Sequence, residues 1–175
     1  MPEETKTPRK IKTESIVAFA AIFVSIATLL VYLYQAHIMQ KQQHTSVWPY
    51  VEWLFNNEKN QFYITVENKG IGPALIKSAR LELNGKQMRG NSEFFKVLLG
   101  NSNFKFSNST VEGRVLSPGE KVELFHIYDS AKARAVDSLL RNSSEHEFSL
   151  FICYCSVYDD CWTTDGITIL ESKCK

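Results

Sequence analysis

Residues 15–40 read SIVAFAAIFVSIATLLVYLYQAHIMQ, and the 19 of them from Ile16 to Tyr34 contain no charge, glycine or proline. At 1.5 Å per residue, such a helix reaches roughly 28 Å, about one hydrocarbon core. A secretory signal would be shorter and would end in a small-x-small site. Here Tyr32-Leu33-Tyr34-Gln35-Ala36-His37 is bulky and aromatic, which suits Tyr32 and Tyr34 as interfacial anchors. The segment therefore predicts a single membrane span.

One face of that helix is distinctive. At spacings of three and four, Ala18, Ala21, Ser25, Thr28, Tyr32, Gln35, Met39 and Gln42 form a stripe that is small or hydroxylated as far as Thr28. Small side chains let helix backbones approach in lipid, and hydroxyls can bond across the contact. The same stripe suits the wall of a water-filled lumen, where polar groups are tolerated at membrane depth. A lone anchor with chance small residues is the bland alternative, and no GxxxG decides among the three. Gln35 to His44 continues with good helix formers, so one helix over 15–44 is expected to project beyond the membrane. The 1–14 tail holds Lys6, Arg9, Lys10 and Lys12 against Lys41 after the span. The positive-inside rule favours a cytoplasmic N-terminus with the larger domain outside.

The whole chain has 175 residues, 44% hydrophobic and 22% charged, which excludes a multi-domain enzyme, a disordered chain and a polytopic membrane protein. The remaining 45–175 predict one mainly β domain. Strand signals run over Trp48–Phe55, Gln61–Asn68, Ala79–Leu83, Lys121–Tyr128, Glu147–Tyr158 and Thr163–Leu170. Asn84-Gly85 signals a hairpin, Ser117-Pro118-Gly119-Glu120 a Pro-led turn, and Lys69-Gly70-Ile71-Gly72-Pro73 a tight loop needing glycine conformations. One inserted helix is expected, capped by Asp129-Ser130 and ending near Asn142. The polar Gly100–Ser109 segment reads as a long loop, either a partner-contact surface or a solvated excursion.

Phe62-x-Ile64-x-Val66-x-Asn68-x-Gly70-x-Gly72-Pro73-Ala74, followed by Leu116-Ser117-Pro118-Gly119-Glu120, resembles the strand and turn signature of membrane-tethered immunoglobulin-like sandwiches in bacteria. The resemblance implies a β-sandwich and says nothing of chemistry.

Cys153, Cys155, Cys161 and Cys174 crowd the C-terminal end. Cys153 and Cys155 would point to one face of a strand, so a disulfide would join one of them to a cysteine across a hairpin or to the tail. Packed thiols, disulfides in an extracytoplasmic domain, and a metal site are all open. The C-x-C-x5-C-x12-C spacing matches no common zinc pattern, so no metal site is assigned, and no cofactor motif is present.

Catalytic motifs are sparse: G-x-S-x-G, H-E-x-x-H and a Walker-type loop are all missing from the sequence. Asp159-Asp160 reads as a turn. Arg141-Asn142-Ser143-Ser144-Glu145-His146 could place a phosphate-binding Arg beside a proton-transferring His. That hexapeptide resembles the R-N-x3-H motif of HEPN ribonucleases. With the single span and the length, it also resembles the small membrane accessory family encoded beside the RNA-guided, RNA-cleaving effector of type VI-B CRISPR loci. The resemblance implies a homo-oligomeric ring, an octamer, forming a pore in the bacterial inner membrane and enhancing antiphage defence. Arg141 and His146 would be its HEPN pair. An accessory to a cytoplasmic effector would be expected to face the cytoplasm, against the positive-inside rule, so both orientations stay open. HEPN domains, however, are all-helical. Residues 45–175 also hold 15 Lys+Arg against 16 Asp+Glu, so direct nucleic-acid binding is not expected. Structural contacts for Arg141, with Glu145 or Glu147, are the favoured alternative, and the chain is not expected to be an enzyme. Three functions stand: a pore, a membrane-tethered binding module, and an anchored HEPN-like ribonuclease.

Overall fold

The computed structural model describes residues 13–58, 60–100, 104–141 and 147–174. Most of the 1–14 tail thus lies outside the described residues. The chain divides into two compact units, Met1–Gln43 and His44–Lys175. Helix α1, Thr13–Ser46, is 34 residues long and no side chain in it is buried. It is the one helix among the described residues long and apolar enough to cross a membrane. At about 51 Å it exceeds a hydrocarbon core by several turns.

The second unit is mainly β. One sheet is ordered β1-β2-β7-β5, from Val51–Glu58, Gln61–Asn68, Lys121–Ile127 and Phe106–Asn108. The other is ordered β10-β9-β8-β3-β4, from Ile169–Glu171, Cys161–Thr164, Phe148–Cys155, Ala74–Leu83 and Lys86–Gln87; β6, Val115–Leu116, pairs with β3. Every pairing is antiparallel. Strict alternation in β2 sends Phe62, Ile64, Val66 and Asn68 inward. The two sheets share one core, in which Phe62, Ile64 and Phe125 of the first meet Ile76, Leu150, Ile152 and Tyr154 of the second. Trp53 spans the layers, packing on Phe148 with ring centroids 5.5 Å apart and donating from Nε1 to the Leu150 carbonyl at 2.8 Å.

The expected strands recur with shifted limits. The segment expected as one strand over Thr163–Leu170 is broken, because Gly166 adopts φ 94 in a turn where the Asp165 carboxylate accepts the Ile167 and Thr168 amides. β3 begins at Ala74, five residues before the expected Ala79. Asn84 and Gly85 take φ 53 and 72, the pair of left-handed residues a tight hairpin needs. Gly119 takes φ 77 after Pro118, and Glu120 N donates to the Ser117 carbonyl at 3.0 Å, closing the turn expected there.

Among the described residues the β unit contains two helices where one was expected. α3, Ser130–Arg141, is capped by Asp129, whose Oδ1 accepts the Ala131 and Lys132 amides at 2.9 and 3.0 Å. It packs Ala133, Val136 and Leu140 inward. The unexpected helix is α2, Asn91–Leu99, which ends at Gly100 with φ 67. Its Phe94 touches Phe125 of one sheet and Phe148 of the other, so it plugs the gap between layers. The segment expected as a long loop is likewise anchored: Phe104 and Phe106 pack on Phe95, and 106–108 form β5. Residues 101–103 of it lie outside the described residues.

Asn68 explains the strand-and-turn signature. Fully buried, it donates from Nδ2 to the Gly72 and Leu116 carbonyls at 2.8 and 2.9 Å. Its Oδ1 accepts the Gly70 and Tyr50 amides at 3.0 and 3.2 Å. One side chain thus ties three loops together. Gly70 and Gly72 are needed there for space, not for the special backbone angles expected: a Cβ at Gly72 would overlap the Val47 carbonyl, and one at Gly70 the Trp48 carbonyl and the Tyr50 amide.

Candidate functional site

Ala18, Ala21, Ser25, Thr28, Tyr32 and Gln35 are all solvent-exposed on α1, together with the Ile, Phe, Val and Leu side chains around them. Ser25 Oγ donates to the Ala21 carbonyl and Thr28 Oγ1 to the Val24 carbonyl, both at 2.8 Å. These hydroxyls are satisfied within their own helix, so the stripe offers close approach rather than an obligatory hydrogen bond to a neighbour. A shallow groove opens where Ala27 and Thr28 lie between Phe23, Val31, Tyr32 and Gln35.

Arg141 closes α3 and bonds through Nε to Asp137 Oδ1 at 2.6 Å, with Asp137 also accepting from Asn57 Nδ2 at 2.9 Å. Among the described residues its partner is thus four residues back. Asn142, Glu145 and His146 lie outside the described residues. Arg141 sits on a helix packed against β2 and β7. The described acidic group that meets it is Asp137, bound as an ion pair within the helix.

All four cysteines are in disulfides: Cys153–Cys174, with Cα atoms 5.7 Å apart, and Cys155–Cys161, 4.0 Å apart. One strand cysteine thus joins the tail and the other its opposite number across the β8–β9 ladder. The Cys155–Cys161 bridge closes the turn that carries Asp159, φ 62, as a turn residue. Within this turn Tyr158 stacks on the His44 ring at 4.4 Å, and Asp160 Oδ2 meets His44 Nδ1 at 2.8 Å.

Two features carried no sequence signal. His126 lies between Tyr63 and Tyr128, with ring centroids 4.9 and 4.2 Å away, and bonds Glu123 and Gln61 at 2.9 and 3.0 Å. Gln61 and Tyr63 are far in sequence from His126 and reach it only through the β2–β7 register. Buried Tyr154 has no hydrogen-bond partner for its hydroxyl among the described residues, and burial pushes its pKa up to about 12, partly offset by the Val51 backbone.

The model of a family described as a domain of unknown function (DUF8453) matches residues 15–166. The chain belongs to that family. The DUF8453 match spans both the apolar helix and most of the β unit, so it treats their combination as one inherited arrangement. No curated protein and no solved structure matches the chain.

Proposed function

We propose that this DUF8453 protein is a single-pass protein of the bacterial inner membrane whose apolar helices associate into a homo-oligomeric ring around an axial passage. The observation that carries this reading is α1: 34 residues, none buried within the chain, with a groove at Ala27-Thr28 and a seam of small residues from Ala18 to Thr28. A helix needing only lipid has no use for a recessed face. The β unit is read as an immunoglobulin-like sandwich, supported by two antiparallel sheets around one core and by the Asn68-centred loops. Two disulfides support an oxidising compartment, in agreement with the basic tail before the span.

The Arg141-Asn142-x3-His146 resemblance adds a setting: a pore, octameric in that family, enhancing antiphage defence beside an RNA-guided, RNA-cleaving effector. In this reading Arg141 braces α3 through Asp137 and the chain is no nuclease. The mass and shape of the detergent-solubilised particle test the assembly. A closed ring of several subunits is expected; a monomer would end the pore reading. Effector-dependent depolarisation of cells carrying the ring tests the setting separately.

A membrane-tethered binding module is the second reading, favoured by the Tyr63–His126–Tyr128 stack, an aromatic patch in which Tyr128 is exposed.

A further inference from the structure

We propose that copies of this chain join edge to edge: the open side of β1 in one β unit pairs with the open side of β5 in the next, continuing the first sheet from subunit to subunit. The inference rests on the ring reading above and names the contact between its β units.

Backbone bonds show which residues face each edge. Lys69 N donates to the Tyr50 carbonyl at 2.7 Å, in step with the register of Val51 opposite Asn68, so the even-numbered residues of β1 bond to β2. The N–H and C=O groups of Trp53, Phe55 and Asn57 therefore point to the open side. Ser109 N donates to the Leu124 carbonyl at 2.9 Å, in step with Ser107 opposite His126, so these two residues bond to β7. The backbone groups of Phe106 and Asn108 then point outward. Among the described residues no backbone partner meets either set. Sheets commonly blunt such an edge with proline, lysine or a bulge. β1 has eight residues, no proline, no lysine and an unbroken register.

The two edges match in face, register and charge. Trp53 and Phe55 on one edge and Phe106 on the other pack against the core, so pairing them keeps both cores on one side of a continuous sheet. Had the open residues of either strand faced solvent, the same pairing would turn one core outward. Asn57, Phe62, Ile127 and Phe106 form one row across the sheet. Setting Asn57 opposite Phe106 of the next copy continues that row and brings Glu58 opposite Lys105 of the next copy. Neither charge has an ion-pair partner among the described residues. The sheet has four alternating strands, so β1 and β5 of successive copies meet antiparallel when the copies repeat in one orientation. Such a head-to-tail contact is the kind that closes into a ring. Pairing β1 with a second β1 about Phe55 would instead face Glu52 with Glu58 and stop at a dimer.

The test treats the full chain in detergent with a zero-length carbodiimide, which couples a carboxylate to an amine at contact distance, and maps the links by mass spectrometry. Within one chain Glu58 and Lys105 lie on opposite edges, three strand spacings or about 14 Å apart, so a link between them joins two copies. That link is expected. Glu58→Lys and Lys105→Glu should each lose it and shift the particle from ring mass toward the 20.0 kDa of one chain, and the double exchange should restore the ring. Asn108→Pro removes an outward N–H without touching the β5–β7 bonds, and should lower the mass while the near-UV circular dichroism of the β unit is unchanged. The link is read on the unaltered chain, so it decides even where a variant fails to fold. Intact rings that yield no such link, and whose mass all three single variants preserve, would overturn the edge contact and leave the ring reading standing. A monomeric unaltered chain would overturn both.

Discussion

At the scale of single residues, Asn68 has the greatest leverage. Replacing it with Ala removes four hydrogen bonds and leaves the Tyr50 and Gly70 amides and the Gly72 and Leu116 carbonyls without their buried partner. Asn68→Ala should cost about 3 kcal/mol or more, read as a lower denaturation midpoint at unchanged m-value. A loss below about 1 kcal/mol would mean that water replaces the amide without penalty. Asp165 gives a pH effect of defined sign. The Thr168 and Ile167 amides hold its carboxyl below the usual carboxylate range. A carboxyl with a lowered folded pKa contributes stability that is fully present above the unfolded value and is lost as pH falls through the folded one. Stability should therefore decline below about pH 4, and Asp165→Asn should flatten that part of the acid limb in pH-dependent melting.

At the scale of elements, α2 and α1 make opposite demands. Phe94 on α2 is completely buried and touches aromatic rings from both sheets. Phe94→Ala should cost about 3–5 kcal/mol, checked by chemical denaturation. On α1 no packing within the chain constrains the stripe, so bulk there should leave folding of the β unit intact. Ala21→Leu and Thr28→Leu are expected to shift the solubilised particle to lower mass, whereas Leu30→Ala on another face should not. Equal masses for all three would show that the stripe makes no subunit contact.

At the scale of the whole molecule, the proposed single-pass reading expects the β unit on the side away from the basic tail, the side the two disulfides also favour. A C-terminal alkaline phosphatase fusion should be active, since that enzyme needs an oxidising compartment. An inactive fusion would place the β unit in the cytoplasm, where the cysteines would be reduced. The bridges close spans of 21 and 6 positions. By chain entropy they contribute about 3 and about 2 kcal/mol, so reduction should lower the melting temperature measurably.

Periodicity and turn chemistry were sufficient for much of this. Nineteen uncharged residues specify a helix long and apolar enough to span a membrane. Alternation specifies β2, and Asn84-Gly85, Pro118-Gly119 and Asp129 specify their turns and cap, because those signals depend only on local backbone energetics. α2 escaped because its short apolar run becomes a helix through aromatic packing between two sheets, which no local pattern encodes. For the same reason the need for Gly72 is visible only once Val47 lies against it, whereas the break within Thr163–Leu170 is written locally in the Asp165-Gly166 turn pair. Sequence by itself determined the long apolar helix, the β character of the rest and the cysteine count. Tertiary structure decided which cysteines meet, what Asn68 holds and where Arg141 is bound, since each depends on contacts between residues distant in the chain or on a side chain's choice among nearby partners.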